Sequence, residues 1–565
     1  MRARVAEVLA RMSTRDKVGQ LFVTYAHGHT AGTSHPRNRA EFGVDTPAEV
    51  VTHYHLGGLI HLSWTDSLDE PEQIARLSNG LQRAATDSGA GIPLLISTDQ
   101  EQGLVTRIGG PATRLPGNMA LGASRSVEDA AAAAAITGRE LRAMGLNLNV
   151  APVGDVNADP LNPVIGPRSF SSDPALAARL TAAQVRGYQA SASADRTVSA
   201  VAKHFPGHGD TGTDSHTSLP VVEHTRDRWE RLDAPPFRAA IAEGVDAIMS
   251  AHLVLPRLDS SGEPATLSPT VLTGMLRAEL GFDGLVITDS LQMGAVRDRY
   301  PAAEVAVRAL QAGADQLLMP QNLPVAMDGV LDAVRSGEVT AERLDASVER
   351  VLTVKARRGV LESPFVDVTG AGERVGAPEH GRQAQRITDR TVTVLRDDAG
   401  LLPLRPGAAS VLVTGRGERA TAALARAIDA RGPVTTTLTT GERPARQRVD
   451  EAVRAARGHE LTVVLVGAAD TEERSAQRDL ARALQHAGAR IVAVAVRHPR
   501  DAACAEEVRT WIATCSHTEV SMESLARVLF GEVSPSGRLP VAVADPERPG
   551  TDRYPFGHGL PGECR

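Results

Sequence analysis

The chain has 565 residues, 42% of them hydrophobic, with 61 Lys and Arg against 68 Asp and Glu for a formal net charge of −7. That is the make-up of a soluble protein too long for one ordinary core, so two or three domains are expected. No lysine- or arginine-dense stretch is interleaved with aromatics, which argues against nucleic acid and membrane partners. The N-terminal run Met1–Met12 mixes charge into an amphipathic helical pattern and lacks the apolar core and cleavage site of a signal peptide. The longest small-apolar run, Ala130–Ile136, is far below bilayer-spanning length. As written, the chain reads as cytoplasmic, or as secreted if a leader was removed.

In chain order, short apolar runs ending in polar or turn residues fall at Leu21–Thr24, Gly58–His61, Leu94–Thr98, Leu146–Val150, Ala200–Lys203, Asp246–Ser250, Leu285–Thr288 and Asp315–Met319. Helical periodicity fills many of the intervals, as at Val127–Met144 and Ala302–Ala312, and the alternation predicts an α/β fold opening with a (β/α)8 TIM-like barrel. A barrel gathers its chemistry at the carboxyl ends of its strands. Asp99, Asp155, Lys203 with His204, His252 and Asp289 all stand at such ends. Singly each could cap a following helix; together they make capping alone a poor account.

The loop Lys203-His-Phe-Pro-Gly-His-Gly-Asp-Thr-Gly-Thr-Asp-Ser-His216 crowds three imidazoles, two carboxylates and an ammonium onto glycine-broken backbone. Three readings compete. His204, His208 and His216 with Asp210 and Asp214 could ligate a metal, but the spacing matches no standard zinc or calcium pattern and Lys203 would add positive charge beside the ion. A phosphate-cradling loop fails because no Gly-Lys-Ser/Thr follows the glycines. A His–Asp acid/base pair fits the residue types best: Asp214 and His216, two apart, share one side of an extended segment, so a carboxylate can orient an imidazole. The bland alternative, a polar surface loop, is outweighed by the density of titratable groups.

Further on, Thr340–Arg358 carries Leu344, Val348, Val351 and Leu352 on one helical face, a ridge expected to pack on the barrel wall. Pro364 to about His380 is aperiodic and rich in glycine, proline and charge. The expected division is a barrel over residues 1–363, a linker at 364–385 and a three-layer α/β sandwich domain over 386–565. The last rests on apolar runs at Val392–Leu395, Ser410–Val413, Leu461–Val466, Ile491–Val496 and Trp511–Thr514, with helical patterns between them, and predicts a mostly parallel sheet. Gly415-Arg-Gly417-Glu-Arg-Ala420 superficially matches a dinucleotide fingerprint, yet its third glycine is alanine, and a tight turn is the better reading. Cys504, Cys515 and Cys564 form neither a Cys-x-x-Cys pair nor a disulfide framework.

Together these motifs resemble glycoside hydrolase family 3, in its β-N-acetylglucosaminidase branch. The resemblance rests on Lys203-His-Phe-Pro-Gly-His-Gly with Asp214-Ser-His216, Gly284-Leu-Val-Ile-Thr-Asp289-Ser-Leu-Gln-Met293, Asn162-Pro-Val-Ile-Gly-Pro-Arg168-Ser-Phe, and Thr98-Asp99-Gln-Glu101 with Arg107. It implies Asp289 as nucleophile, His216 as general acid/base and Asp214 as the group orienting that histidine. It implies Asp99, Arg107, Arg168, Lys203, His204 and Met293 as substrate-binding residues, with no metal and no cofactor. In the second domain Leu401-Leu-Pro-Leu404, Pro535-Ser-Gly-Arg-Leu-Pro540 and Tyr554-Pro-Phe-Gly-His-Gly-Leu560 also look familial. That domain is expected to be structural, or a wall of the outer subsites. One departure is Glu101-Gln102-Gly103, where the family usually has Glu-Gly-Gly, so backbone approach to the sugar is expected to change at Gln102.

Retaining glycoside hydrolysis needs a nucleophile beneath the anomeric carbon and a group that protonates the leaving oxygen and then activates water. A histidine is neutral after giving up its proton and would not repel phosphate, so phosphorolysis, or a β-glucosidase activity, stands beside N-acetylglucosaminide hydrolysis. A metal-dependent hydrolase using the His-rich loop and an idle glycan-binding module are the rivals from other classes. Aromatic residues are only 3% of the chain, which leaves few stacking platforms and favours a short glycoside as partner. A monomer or homodimer is expected.

Overall fold

The computed structural model describes residues 1–190, 197–215, 217–404, 410–467, 471–503 and 505–561. All eight apolar runs become strands: β1 (Phe22–Thr24), β2 (Gly58–Ile60), β3 (Leu95–Thr98), β4 (Leu148–Asn149), β5 (Ser199–Phe205), β6 (Ala247–Ser250), β7 (Leu285–Ile287) and β8 (Leu317–Leu318). They pair in parallel in the order β8-β1-β2-β3-β4-β5-β6-β7. Hydrogen bonds from Thr288 N to Gln316 O and from Gln316 N to Val286 O, both 3.0 Å, join β7 to the approach of β8 and close the barrel. Every residue in these strands is buried, as parallel strands covered on both faces require.

The surrounding helices start where the sequence supplies caps. Ser126 accepts from Asp129 N at the head of Val127–Ala143, and Thr340 from Arg343 N at the head of Ala341–Arg357. The latter helix buries Leu344, Val348, Val351 and Leu352 in the barrel's apolar cluster, the ridge read from its periodicity. Two buried carboxylates at strand amino ends are spent on stability. Asp315 takes Arg277 (2.5 Å) and Arg350 (3.2 Å), and Asp246 takes Arg358 (2.7 Å).

The stretch read as an aperiodic linker is helical over Val368–Arg374 and Pro378–Asp389. Beyond it lies a six-stranded sheet, β9 (Thr393–Asp397), β10 (Ser410–Gly415), β11 (Val434–Thr439), β12 (Leu461–Val466), β13 (Ile491–Ala495) and β14 (Thr510–Ala513), in the order β9-β14-β13-β12-β10-β11. Only β9 runs antiparallel. The edge strand β11 has no counterpart among the apolar runs. Gly415 and Gly417 form a tight turn at positive φ (111° and 84°), and a Cβ on Gly415 would lie 2.1 Å from Leu465 O. Among the described residues, no helix is long and apolar enough to cross a membrane.

The two familial motifs near the C-terminus hold the domains together. Leu539 N donates to His558 O (2.8 Å) and Gly557 N to Leu539 O (2.9 Å), so the motifs bond to each other. From that pair Pro540 O accepts from Ser171 Oγ (2.5 Å), Arg538 N donates to Ala123 O (3.0 Å), and the Phe556 ring lies 4.4 Å from the Arg125 guanidinium.

Candidate active site

A cavity of about 430 Å³ opens at the carboxyl ends of the barrel strands, within the size range of small-molecule sites. Asp99, Arg107, Arg168, Lys203, His204, Asp289 and Met293 all line it. Strand ends and short supported loops hold each one. Arg107 leaves a hairpin fixed by Gln100, whose Oε1 accepts from Arg107 N (2.9 Å) and Ile108 N (3.0 Å). Arg168 ends a turn begun by Asn162, whose Oδ1 accepts from Val164 N and Ile165 N while its amide donates to His208 O (2.8 Å). The last contact ties the arginine's loop to the histidine loop.

Lys203, Arg168, Asp99 and Glu101 pair with one another across the lining, while Arg107 Nε is buried without a hydrogen-bond partner among the described residues. Lys203 Nζ reaches Asp99 Oδ1 (2.8 Å) and Glu101 Oε1 (2.6 Å), and Arg168 grips Glu101 in bidentate fashion at 2.9 and 2.8 Å. Burial alone would raise the Glu101 pKa, but the charges of Arg168 and Lys203 overcome it and hold this carboxyl well below the usual range. Lys203 and Arg168 are correspondingly held above their ordinary values: burial opposes this, and Asp99 with Glu101 for the lysine, and Glu101 for the arginine, prevail. His204 Nδ1 lies 2.6 Å from buried Asp155 and its Nε2 3.4 Å from Arg168. Asp155 also accepts from the backbone N of His204 and His208, at 3.2 and 2.7 Å. Burial pushes Asp155 up and His204 pulls it further down, leaving it ionised.

Asp289 follows β7, partly open to the cavity, with Oδ1 accepting from Ser290 N at 2.7 Å. Desolvation would raise its pKa; the fields of His204 and His252, the Ser290 hydrogen bond and Lys203 lower it below the ordinary value. His252, buried beneath, bonds Thr266 Oγ1 through Nδ1 and Ser290 O through Nε2 (2.8 and 2.9 Å), so it braces the turn that carries Asp289. An anionic, partly desolvated oxygen at a fixed strand end is what attack on an electrophilic carbon requires.

Residues 13–354 match the family model described as the glycosyl hydrolase family 3 N terminal domain, and residues 392–561 match its C-terminal domain. The chain belongs to glycoside hydrolase family 3. It is 36% identical over 385 residues to a beta-hexosaminidase A from Pseudoalteromonas piscicida, covering 64% of this chain and 62% of that protein. It is 35% identical over 372 residues to the beta-hexosaminidase LpqI of Mycobacterium tuberculosis, covering 62% of this chain and 85% of that one. Among solved structures, a family 3 beta-N-acetylglucosaminidase from Paenibacillus sp. str. FPU-7 superimposes with a TM-score of 0.83 at 37% identity, over 94% of this chain and 99% of that one.

Within this family 3 site, the histidine loop is only partly accounted for. His216 lies outside the described residues. Asp214 is not among the cavity-lining residues, whereas its neighbour Ser215 is, with Oγ 3.0 Å from His208 Nε2. The Asp214 carbonyl accepts from Thr217 N and Ser218 N, both at 3.1 Å. Among the described residues no three His, Cys, Asp or Glu side chains are arranged to hold a metal ion.

Among the lining residues without an assigned role in the sequence reading are Glu101, Trp64 and Gln292. Glu101 was legible as a second carboxylate two residues past a strand-end aspartate. Trp64 had no such mark; it is 45% exposed, the one tryptophan, tyrosine or phenylalanine on the cavity wall among the described residues, braced edge-on by Tyr25 at 4.6 Å between centroids. The expectation for Gln102 is corrected. It adopts positive φ (72°), but its amide turns into the wall, donating to Thr137 Oγ1 (3.1 Å) and accepting from Leu115 N (3.3 Å), and it does not line the cavity.

Proposed function

We propose that this protein is a retaining β-N-acetylglucosaminidase that releases terminal N-acetylglucosamine from a short glycoside through a covalent glycosyl-enzyme intermediate. The observation that carries the reading is Asp289: a carboxylate kept ionised at the carboxyl end of β7, opening on a cavity whose other polar groups are paired cations and acids suited to sugar hydroxyls. In the first step Asp289 attacks the anomeric carbon while His216, oriented by Asp214, protonates the departing oxygen; in the second, His216 takes a proton from water, which displaces Asp289. Asp99, Lys203, Arg168 and His204 bind hydroxyls, Arg107 reinforces Asp99 from 3.9 Å, and Met293 supplies apolar wall. The named relatives, both called beta-hexosaminidases, and the 37%-identical solved β-N-acetylglucosaminidase support the 2-acetamido preference.

The test is mass spectrometry of protein incubated with an activated 5-fluoro N-acetylglucosaminide. Wild type is expected to gain one sugar on the peptide containing Asp289, Asp289→Asn none, with turnover reduced by about 10⁴-fold or more. An adduct on another residue would overturn the assignment.

A further inference from the structure

Outside the cavity, a buried titratable cluster the mechanism does not use lies at the base of the histidine loop. His224, only 5% exposed at its side chain, stands between two carboxylates: Nε2 lies 2.7 Å from Asp210 Oδ2 and Nδ1 2.6 Å from Asp233 Oδ2. Arg228 Nη2 adds a second contact to Asp210 at 2.8 Å. Asp210 belongs to the outgoing limb of the loop, His224 to its returning limb, and Asp233 to the junction of helices Arg226–Leu232 and Ala234–Ala242. The limbs are pressed home next to these bonds. A Cβ on Gly207 would meet Asp233 Cβ at 2.7 Å, one on Gly209 would lie 1.7 Å from Val156 O, and Trp229 Nε1 donates to Pro206 O (2.9 Å). The segment bearing Asp214 and His216 is thus strung between Asp210 and the strand-like contact of Val222 N with Val254 O (2.9 Å).

We propose that the Asp210–His224–Asp233 chain is a clamp that fixes the base of this loop so that its acid/base group reaches the glycosidic oxygen, with His224 as a positioning residue that never touches substrate. The inference rests on the functional reading above, since it presumes that the loop delivers the proton. Burial alone would lower the His224 pKa, but its bonds to Asp210 and Asp233 raise it to about 9, so at neutral pH a doubly donating imidazolium satisfies both carboxylates. The His224 bond and then Arg228 favour the ionised Asp210, whereas at Asp233 burial, with Asp155 nearby, outweighs His224 and holds the carboxyl above its ordinary pKa. A neutral imidazole can donate to only one of the two. The clamp therefore needs the charge as well as the shape.

A clamp of this kind acts on proton delivery and leaves the nucleophile alone. The experiment compares wild type, His224→Gln and Asp210→Asn on a nitrophenyl N-acetylglucosaminide, whose leaving group needs little protonation, and on N,N′-diacetylchitobiose, which needs full protonation. In both variants kcat/KM on the disaccharide is expected to fall about 10- to 100-fold further than on the aryl substrate, since an acid catalyst supplies roughly 10²–10⁴. The fluoro-sugar adduct at Asp289 is retained, and added azide, which needs no base, speeds aryl turnover and yields the glycosyl azide. Equal losses on both substrates, or no loss, in variants that melt as cooperatively as wild type would overturn the clamp. If His224→Gln does not fold, Asp210→Asn decides alone, because its carboxylate is a quarter exposed and the buried His224–Asp233 pair survives it. Wild type that releases no sugar from either substrate fails the functional reading itself, a different result from both.

Discussion

Glu101 receives two cations of the cavity, Lys203 and Arg168. Removing its charge leaves Lys203 with Asp99 alone and Arg168 without a carboxylate, although both side chains are almost wholly out of solvent. Breaking a buried pair in this way costs about 3–5 kcal/mol. Glu101→Gln is therefore expected to lower the melting temperature clearly, and to raise KM because Arg168 and Lys203 lose their fixed geometry. A variant with unchanged melting and kinetics would show that the cations find other partners. The pH dependence follows from the same group. Glu101 and Asp155 are both held below their ordinary pKa in the folded protein, so the unfolded chain binds more protons once the pH falls past about 4. Their stabilisation is complete above that point and is lost on further acidification. Thermal melts between pH 6 and 3 should show the decline, with a shallower slope in Glu101→Gln. The sequence exposed the acids at strand ends because their positions are set by topology. It did not reveal which of them pair, since pairing depends on distances between strands: Asp155 turned out to orient His204, and His252 to brace Ser290, roles that no spacing along the chain encodes.

All eight barrel strands were legible because each is a short apolar run between turn residues, buried on both faces. The missed strand of the six-stranded sheet, β11, reads Val-Thr-Thr-Thr-Leu-Thr, pairs only with β10, and leaves Val434 70% exposed, so the hydrophobic signal is absent where the sheet meets solvent. The two helices between the domains were missed for a related reason. One is seven residues long and holds Gly370 and Gly372; the other begins with Pro378 at its first turn and buries few side chains, among them Ala384 and Ile387. The loop after β5 is the element on which function turns, and its glycines have separable jobs. Gly209 has no special φ, but an added Cβ would run into the Val156 carbonyl, which is backbone and cannot yield. Gly209→Ala should therefore push the loop root away from the strand-end loop beneath it, at a cost of about 1–3 kcal/mol. Activity on poor leaving groups is expected to fall with it, while Gly212→Ala, whose Cβ meets nothing closer than Asp159 Oδ2 at 4.0 Å, serves as the tolerant comparison. Similar losses in both would place the sensitivity in loop flexibility instead of in the contact with Val156.

The two domains share apolar core as well as polar ties. Met119 and Ala120, on the helix Asn118–Ser124, belong to the same buried cluster as Leu395, Trp511, Leu539, Val541 and Tyr554 of the second domain. Ala384 and Ile387, on the connecting helix, pack in turn with Leu121, Ala130 and Leu176 of the barrel. His498 of the second domain bonds Asn157 at 2.9 Å, on the same loop that later presents Arg168 to the cavity, and among the described residues none of the second domain lines that cavity. A shared core should make unfolding a single event. Met119 is fully buried, and Met119→Ala removes contacts of about 2–5 kcal/mol. In calorimetry, wild type is expected to give one transition and the variant one transition at lower temperature, because weakening the junction takes stability from both sides of it. Tryptophan fluorescence checks the coupling, with Trp229 buried in the barrel and Trp511 in the second sheet. If variants retaining one tryptophan each melt together in wild type and together, at a lower temperature, in the Met119→Ala background, the helix Asn118–Ser124 is a joint that both domains draw stability from. If the two probes already separate in wild type, the domains are stable independently and the role of the second domain must be sought elsewhere.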